Sequence, residues 1–241
     1  MEITKIGRSL AVFVMLLVGC TQQQFSQTVG DLLGSSGSSL TTEEVAGGLK
    51  EALINGISKG AGRASAVNGY FSNPKIKIPF PSEAKKMENT LRDIGLGNEV
   101  DKFVKTLNRG AEEAAKEAKP IFVAAIKSMT IEDAWGILRG ENDAATQYLK
   151  RTTSSQLMQK FQPIIHNALQ KVNATKYYGD LAARYNKIPL VKKVNPDLDA
   201  YATEKAIDGL FLLIAEEEAN IRKNPVARTT DLLKKVFGNR N

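Results

Sequence analysis

Between residues 100 and 118 the apolar side chains Val100, Phe103, Val104, Leu107, Ala111, Ala114, Ala115 and Ala118 recur three and four positions apart, with acids and bases on the opposite side. That period matches the 3.6-residue turn of an α-helix and not the two-residue alternation of a strand. The same pattern returns along most of the chain. It predicts an all-α fold: a single multi-helix, orthogonal or bundle-like domain.

The helix starts and stops are written locally. Leu40-Thr41-Thr42-Glu43-Glu44 offers a capping box, with Val45, Leu49, Ala52, Leu53 and Ile57 following at helical spacing. Gly56, Gly60 and Ala64 lie four apart further along, which predicts close approach of a second helix. Ser82 to Ile94 reads as a helix ended by Gly95, and the residue 100–118 helix should stop at Lys119-Pro120. Shorter helices are expected at Ile121 to Met129, at Ile131 to Leu138 behind a Thr130 cap, and at Ala144 to Lys150. A separate broad apolar face runs from Leu157 to Val172, with Pro163 inside it as the source of a kink. Helices are also expected from Ala174 to Asn186, from Asp199 to Lys223 and from Ala227 to Phe237. The alternation around Ile76, Ile78 and Phe80, together with Ile188-Pro189-Leu190, allows at most a short extended pair near 75–80 and 187–191.

The first nineteen residues belong to another category. Lys5 and Arg8 precede the apolar run Leu10 to Val18, which is far shorter than the roughly 20 residues a membrane-spanning helix needs. Leu17-Val18-Gly19-Cys20 resembles the lipobox of bacterial lipoproteins, which implies cleavage before Cys20 and acylation of its thiol. Cys20 is the only cysteine, so the exported part has no disulfide available, and a thiol consumed by lipid accounts for the lone residue. The expected organisation is a signal peptide over 1–19, a lipidated cysteine and flexible tether over 20–40, and a helical domain over 41–241. The tether is rich in Gln, Ser and Gly, as in Gly34-Ser35-Ser36-Gly37. Thr21, in place of the aspartate that favours inner-membrane retention in enterobacterial lipoproteins, leans the expected location towards the outer membrane.

The net charge is +7, and removal of Glu2, Lys5 and Arg8 with the signal leaves +6. Bases and acids are interspersed, which reads as a solvated surface with no nucleic-acid partner, though an exported chain would meet acidic or amphiphilic envelope components. His166 is the only histidine and has no histidine or cysteine partner in the domain, so no metal site, cofactor or histidine-dependent nucleophile is expected. Glu112-Glu113 and Glu216-Glu217-Glu218 supply paired carboxylates of the kind usually found on wetted helix faces. Glu217 is singled out because it shares the spacing of Ile207, Leu210, Ile214 and Ile221, and a carboxylate on a buried stripe needs a cation. Arg151 is the first expected partner and Arg139 the second.

Several segments taken together resemble one bacterial family. Lys119-Pro120, Met129-Thr130-Ile131-Glu132-Asp133-Ala134, the run Gly140 to Thr153, Asp208-Gly209-Leu210-Phe211, Ala215-Glu216-Glu217-Glu218 and Ile221-Arg222 are similar to the domain of unknown function 4197, over roughly residues 40 to 238. The resemblance implies an exported helical domain and brings no catalytic residues with it. The expected role is a non-enzymatic envelope lipoprotein that binds or scaffolds an envelope component. The alternative is a metal-independent envelope enzyme working with carboxylates and arginines. A cavity beside Glu217 and Arg151 would favour a ligand site, and a filled core would favour scaffolding.

Overall fold

Thr41 opens the first helix through the reciprocal bonds its sequence promises: its hydroxyl accepts from the Glu44 N–H at 3.1 Å and the Glu44 carboxylate accepts from the Thr41 N–H at 2.8 Å. The structure is a computed structural model that describes residues 41–187, 189–190, 192–224 and 234. The helices are α1 (Thr42–Ser65), α2 (Lys85–Asp93), α3 (Gly97–Ala114), α4 (Ala118–Lys127), α5 (Ile131–Arg139), α6 (Ala144–Gln170), α7 (Ala174–Tyr185) and α8 (Leu198–Lys223). Single 3-10 turns at Ser82–Ala84 and Ala115–Glu117 lead into α2 and α4. No strand occurs among the described residues, so the fold is all-α. None of the described helices is long and apolar enough to cross a membrane.

The long helix α8 is the centre of the packing, with α1 and α6 against it, α3 against α6 with lighter contact to α1 and α8, and α4 wedged between α1 and α6. Close contact between α1 and α8 follows from the small residues: a Cβ on Gly56 would stand 3.2 Å from Ile221 Cδ1, and one on Gly60 would stand 3.4 Å from the Leu213 carbonyl. Gly110 gives α3 the same access to Ala168 on α6. Phe122 and Phe211 meet edge to face at 5.7 Å where α4 touches α8. The described residues form one compact unit.

Two expected boundaries move. A break was expected between Lys150 and Leu157, but α6 runs unbroken from Ala144 to Gln170. The hydroxyl run between the two expected segments is absorbed by the helix itself, since Thr152, Thr153 and Ser154 donate to the carbonyls of Tyr148, Leu149 and Lys150 at 2.9, 2.6 and 2.6 Å. Pro120 does not stop a helix either. The chain breaks earlier, at Ala115–Glu117, and Pro120 falls in the first turn of α4, where a missing N–H has no intrahelical partner to lose. Gly95 terminates α2 as expected, with φ +88°. The helix expected at Ala227 to Phe237 lies outside the described residues.

The segment 66–81 forms no strand pair. Its backbone is instead held by side chains of α3, one turn apart. The Asn108 amide donates to the Ile78 carbonyl and accepts from the Ile78 N–H, both at 2.8 Å. Glu112 accepts from the N–H groups of Tyr70 and Phe71, both at 3.2 Å, and is paired with Arg109. Tyr70 is fully buried and its hydroxyl donates to the Ala206 carbonyl of α8 at 2.5 Å. Burial raises its pKa, with the neighbouring Glu112 charge adding to the effect. The second segment works similarly on a smaller scale: the Asn186 amide donates to the Val194 carbonyl and accepts from its N–H, both at 2.7 Å.

Candidate functional site

Helix α2 carries Met87 and Leu91 on the side turned towards α3, and α3 carries Val100 and Phe103 in its first two turns. Phe80 arrives from the segment that Asn108 holds, and Tyr177 and Tyr178 from the start of α7. Together they enclose an open cleft of about 540 Å³, lined mainly by carbon. Its floor is aromatic. Phe80 and Phe103 lie 5.1 Å apart, Phe80 meets Tyr178 edge-on at 6.2 Å, and Phe103 stacks over Tyr178 at 6.5 Å. These are the distances at which ring pairs attract beyond simple burial.

Exposure differs sharply around the cleft. Tyr178 is buried and Tyr177 beside it is 63 % exposed. Ile94 and Leu96, at the end of α2, are 66 % and 43 % exposed, and Leu96 lines the cleft. Lys102, Lys171 and Glu99 stand among the lining residues. Burial pushes the Tyr178 hydroxyl up to about 12, with the Glu83 charge adding to the shift, so this group stays protonated and able to donate at neutral pH. An apolar trough with a few polar groups is the usual make-up of a site for a small, largely apolar molecule.

The residues singled out from the sequence are elsewhere, and the expected cluster is not assembled. Glu217 accepts from Arg63 of α1 at 3.0 Å, and neither Arg151 nor Arg139 bonds to it. Arg151 lies over the Tyr148 ring at 5.5 Å and Arg139 over Trp135 at 4.7 Å. The pair at Glu217 is at the edge of the α1–α8 contact, with Glu216 bridging Arg63 and Lys75 at 3.3 and 2.6 Å. The Lys75 hydrogen bond holds the Glu216 carboxyl below its ordinary range.

The carboxylate inside the core is the neighbouring one. Glu218 accepts from the N–H groups of Ala145 and Thr146 at 3.0 and 2.8 Å and from the Thr146 hydroxyl at 2.8 Å. It thereby caps the first turn of α6 from another helix, where the unbonded amides and the helix dipole favour an anion. Arg222 donates to Glu218 at 2.8 Å and to the Ile137 carbonyl of α5 at 2.9 Å. Side-chain exposure is 5 % for Glu218 and 4 % for Arg222. This group ties three helices together.

His166 does have a partner, in Asp199. Its Nδ1 meets Asp199 Oδ2, and the Thr175 hydroxyl donates to Asp199 Oδ1 at 2.9 Å, joining α6, α7 and α8. Cys20 and the lipobox-like residues lie outside the described residues. Sequence reasoning missed the cleft. Its available signal was Leu96, an apolar residue just past the Gly95 helix stop that no stripe uses.

A family model described as a protein of unknown function (DUF4197) matches residues 39–238. No curated protein and no solved structure matches the chain.

Proposed function

This chain belongs to the DUF4197 family, and we propose that it is a non-enzymatic cell-envelope lipoprotein whose helical domain binds an amphiphilic envelope molecule in the cleft between α2, α3 and α7. The observation that carries the reading is the aromatic floor of Phe80, Phe103 and Tyr178 left open beneath the exposed Leu96 and Tyr177. Covering such a trough with an alkyl chain gains about 25 cal/mol for each Å² of apolar surface removed from water. Lys102 and Lys171 at the cleft give an acidic head group a place to stop.

The address is part of the proposal. Acylation at Cys20 would hold the domain at a membrane, the outer one by the Thr21 reading, and two or more acyl chains make such an anchor lasting. The scaffolding and enzyme alternatives gain no specific support. The carboxylate–arginine pairs named above serve helix contacts and are not cleft residues.

Titration of the full chain with a long-chain fatty acid bearing an environment-sensitive fluorophore tests the cleft. Saturable enhancement is expected, and Phe103→Glu should abolish it without loss of helical circular dichroism. No enhancement, or equal enhancement in the variant, defeats the binding reading. Metabolic labelling with tagged palmitate tests the anchor separately: label should vanish in Cys20→Ser, and undiminished labelling would overturn the lipoprotein assignment.

A further inference from the structure

Leu190 presents a whole leucine side chain to solvent and holds a backbone φ of +65° to do so. Bulky residues rarely adopt that left-handed conformation, and no burial within the fold compensates for it here. The surroundings are basic. Lys192 and Lys193 follow two and three residues later, and a groove lined by these residues also contains Lys85 and Lys86 from α2. Lys85 is occupied with Glu88 at 2.7 Å, whereas Lys86, Lys192 and Lys193 form no ion pair with a described residue. The acid within this groove is Glu83, whose carboxyl is held low by a backbone hydrogen bond and by Ser82 first, with Lys192 and Lys205 contributing as charges. The patch is therefore cationic around one projecting apolar residue.

The geometry points to a docking surface for an anionic bilayer: Leu190 enters the interface while Lys86, Lys192 and Lys193 rest on lipid phosphates. A soluble polyanion would use the lysines and leave Leu190 in water. A neutral bilayer would take Leu190 alone and give up the charge. Only an acidic membrane surface uses both, because apolar insertion and attraction to anionic headgroups act together at such an interface. The inference does not rest on the cleft or on the acyl anchor.

Full-length Leu190→Cys chain, labelled with a polarity-sensitive fluorophore at that position, is mixed with vesicles of phosphatidylcholine alone or with added phosphatidylglycerol. The mass of the labelled chain counts free thiols, so an unmodified Cys20 is seen independently of the result. With phosphatidylglycerol, emission should shift to the blue and be quenched by nitroxide-bearing lipids, whereas a label at Ile131→Cys, a part-exposed residue of α5, should not respond. Each of Lys192→Gln and Lys193→Gln should lower the docked-to-undocked ratio about fivefold, and added salt should do likewise. In unlabelled chain, flotation of Leu190→Ser with anionic vesicles should fall below that of the parent in the Cys20→Ser background, which removes any acyl contribution. Equal quenching at positions 190 and 131, equal response in neutral vesicles, or unchanged flotation of Leu190→Ser overturns the proposal, the last in favour of attraction by the lysines alone.

Discussion

Asn108 pairs with Ile78 as one strand residue pairs with another, giving and receiving one hydrogen bond through its side-chain amide at 2.8 Å each way. The two are thirty residues apart, Asn108 is fully buried, and its amide also donates to the Val104 carbonyl at 2.7 Å. Asn108→Leu, similar in size, should leave the Ile78 N–H and carbonyl buried without partners. At about 1–3 kcal/mol for each unmet group, the expected loss is roughly 2–6 kcal/mol. Chemical denaturation with a wild-type reference checks it. Because Ile78 leads directly to Phe80, the same variant should also weaken binding of the fluorescent fatty acid.

Glu218 and Glu217 should respond very differently to removal. Glu218→Ala removes the carboxylate that balances the buried Arg222 charge and uncaps α6, so a loss of about 3–5 kcal/mol is expected. Glu217→Ala breaks a pair whose arginine is 48 % exposed, so a loss of about 1 kcal/mol or less is expected. Thermal melts of the two variants side by side would show it, and equal losses would contradict the placement of either residue.

Two glycines should take alanine with opposite signs. At Gly209 in α8 the added Cβ would stand 2.9 Å from Tyr70 Cε1 and 3.0 Å from Ile76 Cβ, and overpacking of this kind costs about 1–3 kcal/mol. At Gly136 in α5 nothing stands within 4 Å, so the higher helix propensity of alanine should add about 0.5–1 kcal/mol. Denaturation midpoints of the two single variants report the difference.

Stability should fall at both ends of the pH range. The Asp133 carboxyl is held low by the Thr130 N–H, that of Glu216 by Lys75, and that of Glu88 by Lys85 and Arg92 against the opposing effect of burial. A depressed folded pKa means stability that is present above the ordinary values, 4.5 for Glu and 3.8 for Asp, and lost as the pH falls through and below them. Tyr178 and Tyr201, both pushed up to about 12 mainly by burial, reverse the sign: stability held below pH 10 declines as the pH rises from 10 towards 12. Melts by circular dichroism should therefore be flat near neutrality and fall on either side, and ultraviolet titration should find Tyr70, Tyr178 and Tyr201 among the late-ionising tyrosines.

The helices were legible because their causes are local. Capping boxes at Thr41 and Thr130 and the stripe from Val100 to Ala118 act within a few residues. The inward-facing carboxylate was not. Glu217 is three residues after Ile214 and four before Ile221, while Glu218 is four after and three before, so periodicity fits both equally. Only the arrival of the α6 amides, more than seventy residues away in sequence, puts Glu218 inside. The clamp on residues 66–81 was hidden for the same reason, since nothing near Asn108 or Glu112 says which backbone they will serve. The cleft depends on where α7 lands beside α2, a matter of tertiary packing alone.

The clamp also acts as a ruler. Asn108 and Glu112 are one helical turn apart and grip the chain at Ile78 and at Tyr70–Phe71, so the number of residues between those grips is fixed by the pitch of α3. One residue inserted or deleted between 71 and 78 would leave Asn108 facing the wrong peptide, while Tyr70, tied to Ala206, could not slide to compensate. Members of the family built on this clamp should therefore keep that spacing constant whatever side chains fill it, and alignment gaps should gather elsewhere.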